Sequence, residues 1–135
     1  MRKKIRYLTE LDVARLEKSA SEPGAPPSRE ALLDELLDSA EIVEGAQIAA
    51  NVVTMNSRVT LVDEGSGGSL TWTVVYPQHA DIGAGRLNVF SPAGLALLGA
   101  KRGDTVRFTP PGGSTQTLKI EKVLFQPEAA GDLAL

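Results

Sequence analysis

The sequence contains no cysteine, which excludes disulfides, thiolate nucleophiles and thiolate zinc sites. It has a single histidine, so a site built from several imidazoles is excluded as well. Aromatic residues make up only 4% of the chain, too few for an aromatic-lined pocket to be expected. No apolar run approaches the ~20 residues that a membrane helix needs. The opening MRKKIRYLTE is basic but has no apolar stretch behind it, so it does not read as a secretory signal. A cytoplasmic protein without membrane contact is expected. What remains is 135 residues, 42% of them hydrophobic, with a formal net charge of -3. That suits a soluble globular chain large enough to bury a core without staples.

The charge is unevenly placed. Arg2, Lys3, Lys4 and Arg6 make the first eight residues basic, whereas residues 9–50 carry three basic side chains against ten acidic ones. Residues 51–135 are balanced, with seven of each. No basic stripe of the kind that binds nucleic acid is present, and sequence-specific nucleic-acid binding is not expected. An acidic front suits a partner with a basic surface, although from charge alone a solvated helical face is the better reading.

Hydrophobic periodicity predicts an α+β chain. Thr9 has the character of a helix N-cap, with Asp12 three residues on and Leu8 and Val13 at staple positions, which predicts a helix over 9–20. The SEPGAPPS segment stops it with three prolines and a glycine. Ser28 then offers a second N-cap, and Leu32, Leu33, Leu36, Leu37 and Ala40 recur at helical spacing, predicting a helix over 29–43. Together they read as a short antiparallel helical hairpin whose arms span roughly 18–22 Å. From Val52 the period changes to two. Strands are expected at 52–55, 58–62, 70–76, 87–90, 105–108 and 118–125, with turns at DEGSGG, QHADIGAG and PPGG. One short helix interrupts them, opened by Ser91 and Pro92 and capped by Gly99. The organisation expected is a hairpin and connector over 1–50, then an antiparallel sheet domain with one helix over 51–135.

Candidate chemistry is sparse. His79 lies two residues from Asp81, but no third member completes a nucleophilic system, and a loop histidine is the better reading. The glycines of GSGGS and PPGGS lack the Lys-Ser/Thr ending of a phosphate loop and read as hairpin turns. Glu22 and Glu30 flank the proline loop and could supply oxygen ligands to a divalent cation at a hairpin tip. Seven intervening residues, three of them proline, leave their convergence open. No cofactor and no resident metal are expected, and the chain is not expected to be an enzyme.

The segments VTMNSRVTLVD and NVFSPAGLALLGAKRGDTVRFTPPGG resemble the C-terminal, FKBP-like domain of the bacterial Gre transcript-cleavage factors. The most specific stretch is residues 88–104, a strand followed by Ser-Pro, an apolar helix and Gly-Asp. VVTMNSRV and the ending QPEAAGDLAL look like a branch of that family with a shortened hairpin, tied by name to nucleoside diphosphate kinase. The resemblance implies docking on RNA polymerase at the rim of its secondary channel, with Phe90, Ser91 and Pro92 at the docking contact. It also implies a functional link to that kinase, by a direct or a transcriptional route. In the family an acidic residue can precede Ser-Pro. Here it is Phe90, so packing replaces an ion pair. In the family, acids at a long hairpin's tip assist a polymerase-bound magnesium ion in cleaving RNA. The arms here are too short for that reach, so the expectation is a non-enzymatic regulator that competes with Gre factors. A cleavage cofactor acting despite the short hairpin, and an FKBP-type prolyl isomerase, are the alternatives.

Overall fold

The computed structural model describes residues 5–131, so Arg2, Lys3, Lys4 and the last four residues of the QPEAAGDLAL ending lie outside the described residues. The front half is a strand, two helices and a strand: β1 (Arg6–Thr9), α1 (Glu10–Ala20), α2 (Ser28–Asp38) and β2 (Ala40–Val43). The back half holds β3 (Arg58–Asp63), β4 (Ser69–Val75), β5 (Arg86–Asn88), α3 (Pro92–Leu97), β6 (Thr105–Phe108), β7 (Gln116–Phe125) and α4 (Pro127–Ala130). Two sheets result. One is the β1–β2 pair, and the other has the order β5-β4-β3-β7-β6.

Helix α1 starts as its sequence dictates. Thr9 is extended, and its hydroxyl accepts the Asp12 amide at 3.1 Å. Leu8 and Val13 are both buried at the staple positions. Helix α2 departs from expectation at both ends. Pro27, not Ser28, stands at the N-cap, and no side chain caps the helix. The helix stops at Asp38, where the Ser39 hydroxyl turns back to the Leu36 carbonyl at 3.2 Å. The residues beyond it form β2, which runs parallel to β1 from Arg6↔Ala40 to Thr9↔Val43. Helical spacing of leucines could not reveal this, because the pairing partner lies more than thirty residues away.

The sheet is mixed, which corrects the expectation of an antiparallel one. Strands β3, β4, β6 and β7 are antiparallel as their turns require. Strand β5 runs parallel to β4, because residues 76–85 cross over through two short 3-10 turns at Pro77–His79 and Ile82–Ala84. The segment 52–55 is not a strand. Only Val52 forms a bridge, to Lys101, and its neighbours are tied down as loop. Nor is α3 the sole helix of the back half, since α4 follows β7.

One buried cluster unites both halves. Leu8, Leu16, Leu33 and Leu36 from the front join Val53, Leu61, Val74, Leu97, Leu118 and Ile120 from the back. Trp72 on the inner side of β4 is half-buried and packs against Phe108, with ring centroids 6.3 Å apart. No helix among the described residues is long and apolar enough to cross a membrane.

Candidate docking surface at the start of helix α3

The Phe90–Ser91–Pro92 strip leaves β5 and opens α3, and local hydrogen bonds fix its shape. The Asn88 side-chain oxygen accepts the Phe90 amide at 2.9 Å. The Ser91 hydroxyl donates to the Asn88 carbonyl at 2.6 Å and accepts the Gly94 amide at 3.1 Å. Ser91 is thus the N-cap, and Pro92 sits where its missing amide costs nothing. Phe90 and Ser91 are half-buried, whereas Pro92 is exposed. Gly94 lets α3 lie against β5: a Cβ there would meet the Asn88 carbonyl oxygen at 2.2 Å. The strip is therefore held by its own hydrogen bonds and backed by buried Ala93 and Leu97.

The far end of α3 is held by β1. The Arg6 guanidinium donates from Nη1 to the carbonyls of Leu95, Ala96 and Leu98 at 2.6, 3.2 and 2.8 Å. A cation at a helix C-terminus satisfies carbonyls that lack intrahelical partners. Burial pulls the Arg6 pKa below its ordinary value, while Asp104 opposes that shift. Gly99 follows with φ of 83°, and a Cβ there would meet Arg6 Cβ at 2.9 Å. That close approach lets the Tyr7 amide reach the Gly99 carbonyl at 3.2 Å.

A second seam joins α1 to the body. Asp12 Oδ2 accepts the Met55 amide at 3.0 Å, across 43 residues of sequence. Asp12 is buried, and that burial raises its pKa to about 6. The Met55 and Thr9 hydrogen bonds and Arg15 counter the rise, while nearby Glu128 adds to it. Glu128 itself accepts the Thr54 hydroxyl at 2.7 Å. Burial also pushes the Tyr76 phenol up, with Asp12 contributing.

The other candidate residues are dispersed. Glu22 is exposed in the loop 21–27 and borders a cleft shared with Arg15, Lys18, Gln78 and His79. Glu30 is exposed in the first turn of α2. Among the described residues no group of three or more histidine and carboxylate side chains is gathered for a metal ion. Asp81 pairs with Arg86 at 3.5 Å, and Arg86 Nε donates to the His79 carbonyl, so these groups serve their own loop. The GSGGS glycines form the β3–β4 turn, with Asp63 accepting from Gly65 and Ser66, and PPGG forms the β6–β7 turn. Sequence reasoning missed Arg6 and the Asp12–Met55 bond. A basic tail and a capping carboxylate are their ordinary readings, and neither pattern carries a long-range signal.

Residues 48–125 match the model of the family described as transcription elongation factor, GreA/GreB, C-terminal. The chain belongs to the GreA/GreB family. Among its relatives is the regulator of nucleoside diphosphate kinase of Escherichia coli K12, 35% identical over 130 residues and 95% of each chain. The transcription elongation factor GreA of Acidiphilium cryptum is 39% identical over 85 residues, which is 63% of this chain and 54% of that one. This GreA/GreB-family chain thus spans about half the length of that GreA. Among solved structures, a GreA/GreB elongation factor from Nitrosomonas europaea superposes with a TM-score of 0.73 at 34% identity, covering 91% of this chain and all of the other. Gfh1 of Thermus thermophilus, 20% identical with a TM-score of 0.51, shares the fold.

Proposed function

We propose that this protein regulates transcription by docking on RNA polymerase at the rim of the secondary channel, through Phe90, Ser91 and Pro92. In this reading α1 and α2 are a shortened antiparallel hairpin that occupies the channel mouth and excludes Gre factors. The back half is the family's FKBP-like docking module, so the division near residue 50 is one of function, laid over a shared core. The protein itself cleaves no RNA and has no other catalytic activity.

The observation that carries the proposal is the Ser91-capped strip with Pro92 exposed, beside helices of eleven residues each. Such arms are about 16 Å long, which suits a channel mouth better than a distant catalytic centre. The similarity to a regulator of nucleoside diphosphate kinase over nearly the whole of both chains supports a regulator rather than a cleavage factor. An effect on that kinase follows by the transcriptional route without any contact between the two proteins. An isomerase pocket is disfavoured because the Trp72 ring is engaged with Phe108.

Binding of the labelled full chain to core polymerase, with GreA as competitor, tests the proposal. Mutually exclusive binding is expected. Pro92→Glu is expected to weaken it roughly tenfold with an unchanged circular dichroism spectrum, since an exposed proline contributes little to the fold. Undiminished binding of Pro92→Glu would refute the docking site. Transcript cleavage by stalled complexes, lost on Glu22→Ala or Glu30→Ala, would favour the cleavage-cofactor reading instead.

A further inference from the structure

Arg29, Leu32 and Leu36 lie on one stripe of α2, because residues three and seven apart share a helix face. This stripe runs beside the docking strip. The Arg29 guanidinium carbon is 5.5 Å from the centroid of the Phe90 ring. Farther along, Leu32 and Leu36 wall one side of a cleft of about 330 Å3 whose other side is Pro92, Leu95 and Ala96. The hairpin arm and the docking helix therefore border the same concavity.

Arg29 is the only basic residue of α2, whose other charged side chains are all acidic. One of its N–H groups donates to the Ser19 carbonyl at 3.3 Å, which ties it to the end of α1. A guanidinium carries five such donors, so others are available to a ligand. The ring holds the cation in place without neutralising it. Arg107 and Glu35 line the same cleft with opposite charges, which leaves Arg29 as the cation beside Phe90 at its edge. A cation next to a cleft walled in part by Leu32, Leu36 and Leu95 selects a carboxylate flanked by an apolar side chain.

We propose that Arg29, held over the Phe90 ring beside Pro92, is a specificity residue of the docking surface that receives a carboxylate of the protein partner, whose adjoining apolar side chain enters the α2–α3 cleft. The inference rests on the docking reading above. It makes the hairpin and the body one composite surface, and it rejects partners that place a basic residue at this point.

The test measures affinity for core polymerase over a salt series, using the full chain and the variants Arg29→Gln, Arg29→Glu, Arg29→Lys and Pro92→Glu. Arg29→Gln is expected to weaken binding at least about threefold and to flatten its salt dependence, and Arg29→Glu at least about tenfold, with Arg29→Lys near wild type. Wild-type binding that fails, or that Pro92→Glu leaves unchanged, would sink the docking reading and this inference with it. Loss on Pro92→Glu but affinity within twofold of wild type for Arg29→Glu would overturn only the Arg29 assignment. If Arg29→Glu melts early, Arg29→Gln decides: a salt slope equal to wild type refutes the carboxylate. Arg29-dependent capture of a fluorescein-labelled single-stranded RNA would refute it also.

Discussion

Asp12→Asn should stabilise the protein at neutral pH, against the usual expectation for deleting a hydrogen-bonded charge. Burial lifts the Asp12 carboxyl from its ordinary 3.8 to about 6. The folded state therefore binds a proton more tightly than the unfolded chain does. The resulting penalty is absent below pH 3.8, grows as pH rises, and is fully present above about pH 6. At about 1.4 kcal/mol per tenfold, it approaches roughly 3 kcal/mol at pH 7. Asparagine keeps an oxygen to accept the Met55 amide while removing the charge, so part of this is recovered. The lost charge-assisted bond offsets about 1 kcal/mol, leaving the variant more stable by roughly 1–2 kcal/mol. Urea unfolding followed by circular dichroism at intervals from pH 4 to 7 measures this directly. The difference between variant and wild type isolates Asp12 with its coupling to Glu128, since the remaining carboxylates cancel. That difference should favour asparagine at pH 7 and swing toward wild type by about 2–3 kcal/mol at pH 4. A difference that stays flat across the series would refute the buried-charge argument.

Two further substitutions probe the ends of α3. Gly94→Ala places a methyl 2.2 Å from the Asn88 carbonyl oxygen and 2.7 Å from Val89 Cα, both backbone atoms. It should cost about 3 kcal/mol or more and lower Tm by roughly 10 °C, measured by thermal denaturation; a shift under about 3 °C would show that α3 can lift off β5 freely. Arg6→Met removes the donor to three carbonyls and should cost roughly 2–3 kcal/mol in urea unfolding, with Arg6→Lys losing less. An Arg6→Met protein as stable as wild type would mean that water replaces the cap.

Where the determinants are local, the sequence is a good guide. The Thr9 cap, the Ser91-Pro92 start of α3 and the alternation of β3, β4, β6 and β7 are each set by a few neighbouring residues, and each is found in the structure. The failures are non-local. β2 reads as the end of a helix because leucine spacing continues toward it, and only pairing with β1 makes it a strand. β5 reads as antiparallel because hairpins are the default, yet the 76–85 crossover sets its direction. The same division holds for the proposed docking surface. Phe90, Ser91 and Pro92 stand out as a motif, whereas the Arg29 contact joins positions sixty-one residues apart and leaves no periodic trace.

These long-range contacts bear on how two such short helices could act as proposed. Arg6 locks β1 to α3, Asp12 locks α1 to the Met55 backbone, and Arg29 meets Phe90. The three contacts fall at the base of the front half, in its first helix and at the start of its second. The front half is therefore fixed against α3 along its length. A long hairpin on a loose joint must spend partner contacts on ordering itself, since immobilising a mobile element subtracts from binding. Here the core residues Leu8, Leu16, Leu33 and Leu36 have already supplied that order on folding. If α3 docks as proposed, the position of α1 and α2 is decided in the same step, and blocking a channel mouth needs position rather than reach. Loosening the seam without touching Pro92, as Arg6→Met does, should then weaken competition with GreA more than it weakens binding to the polymerase itself.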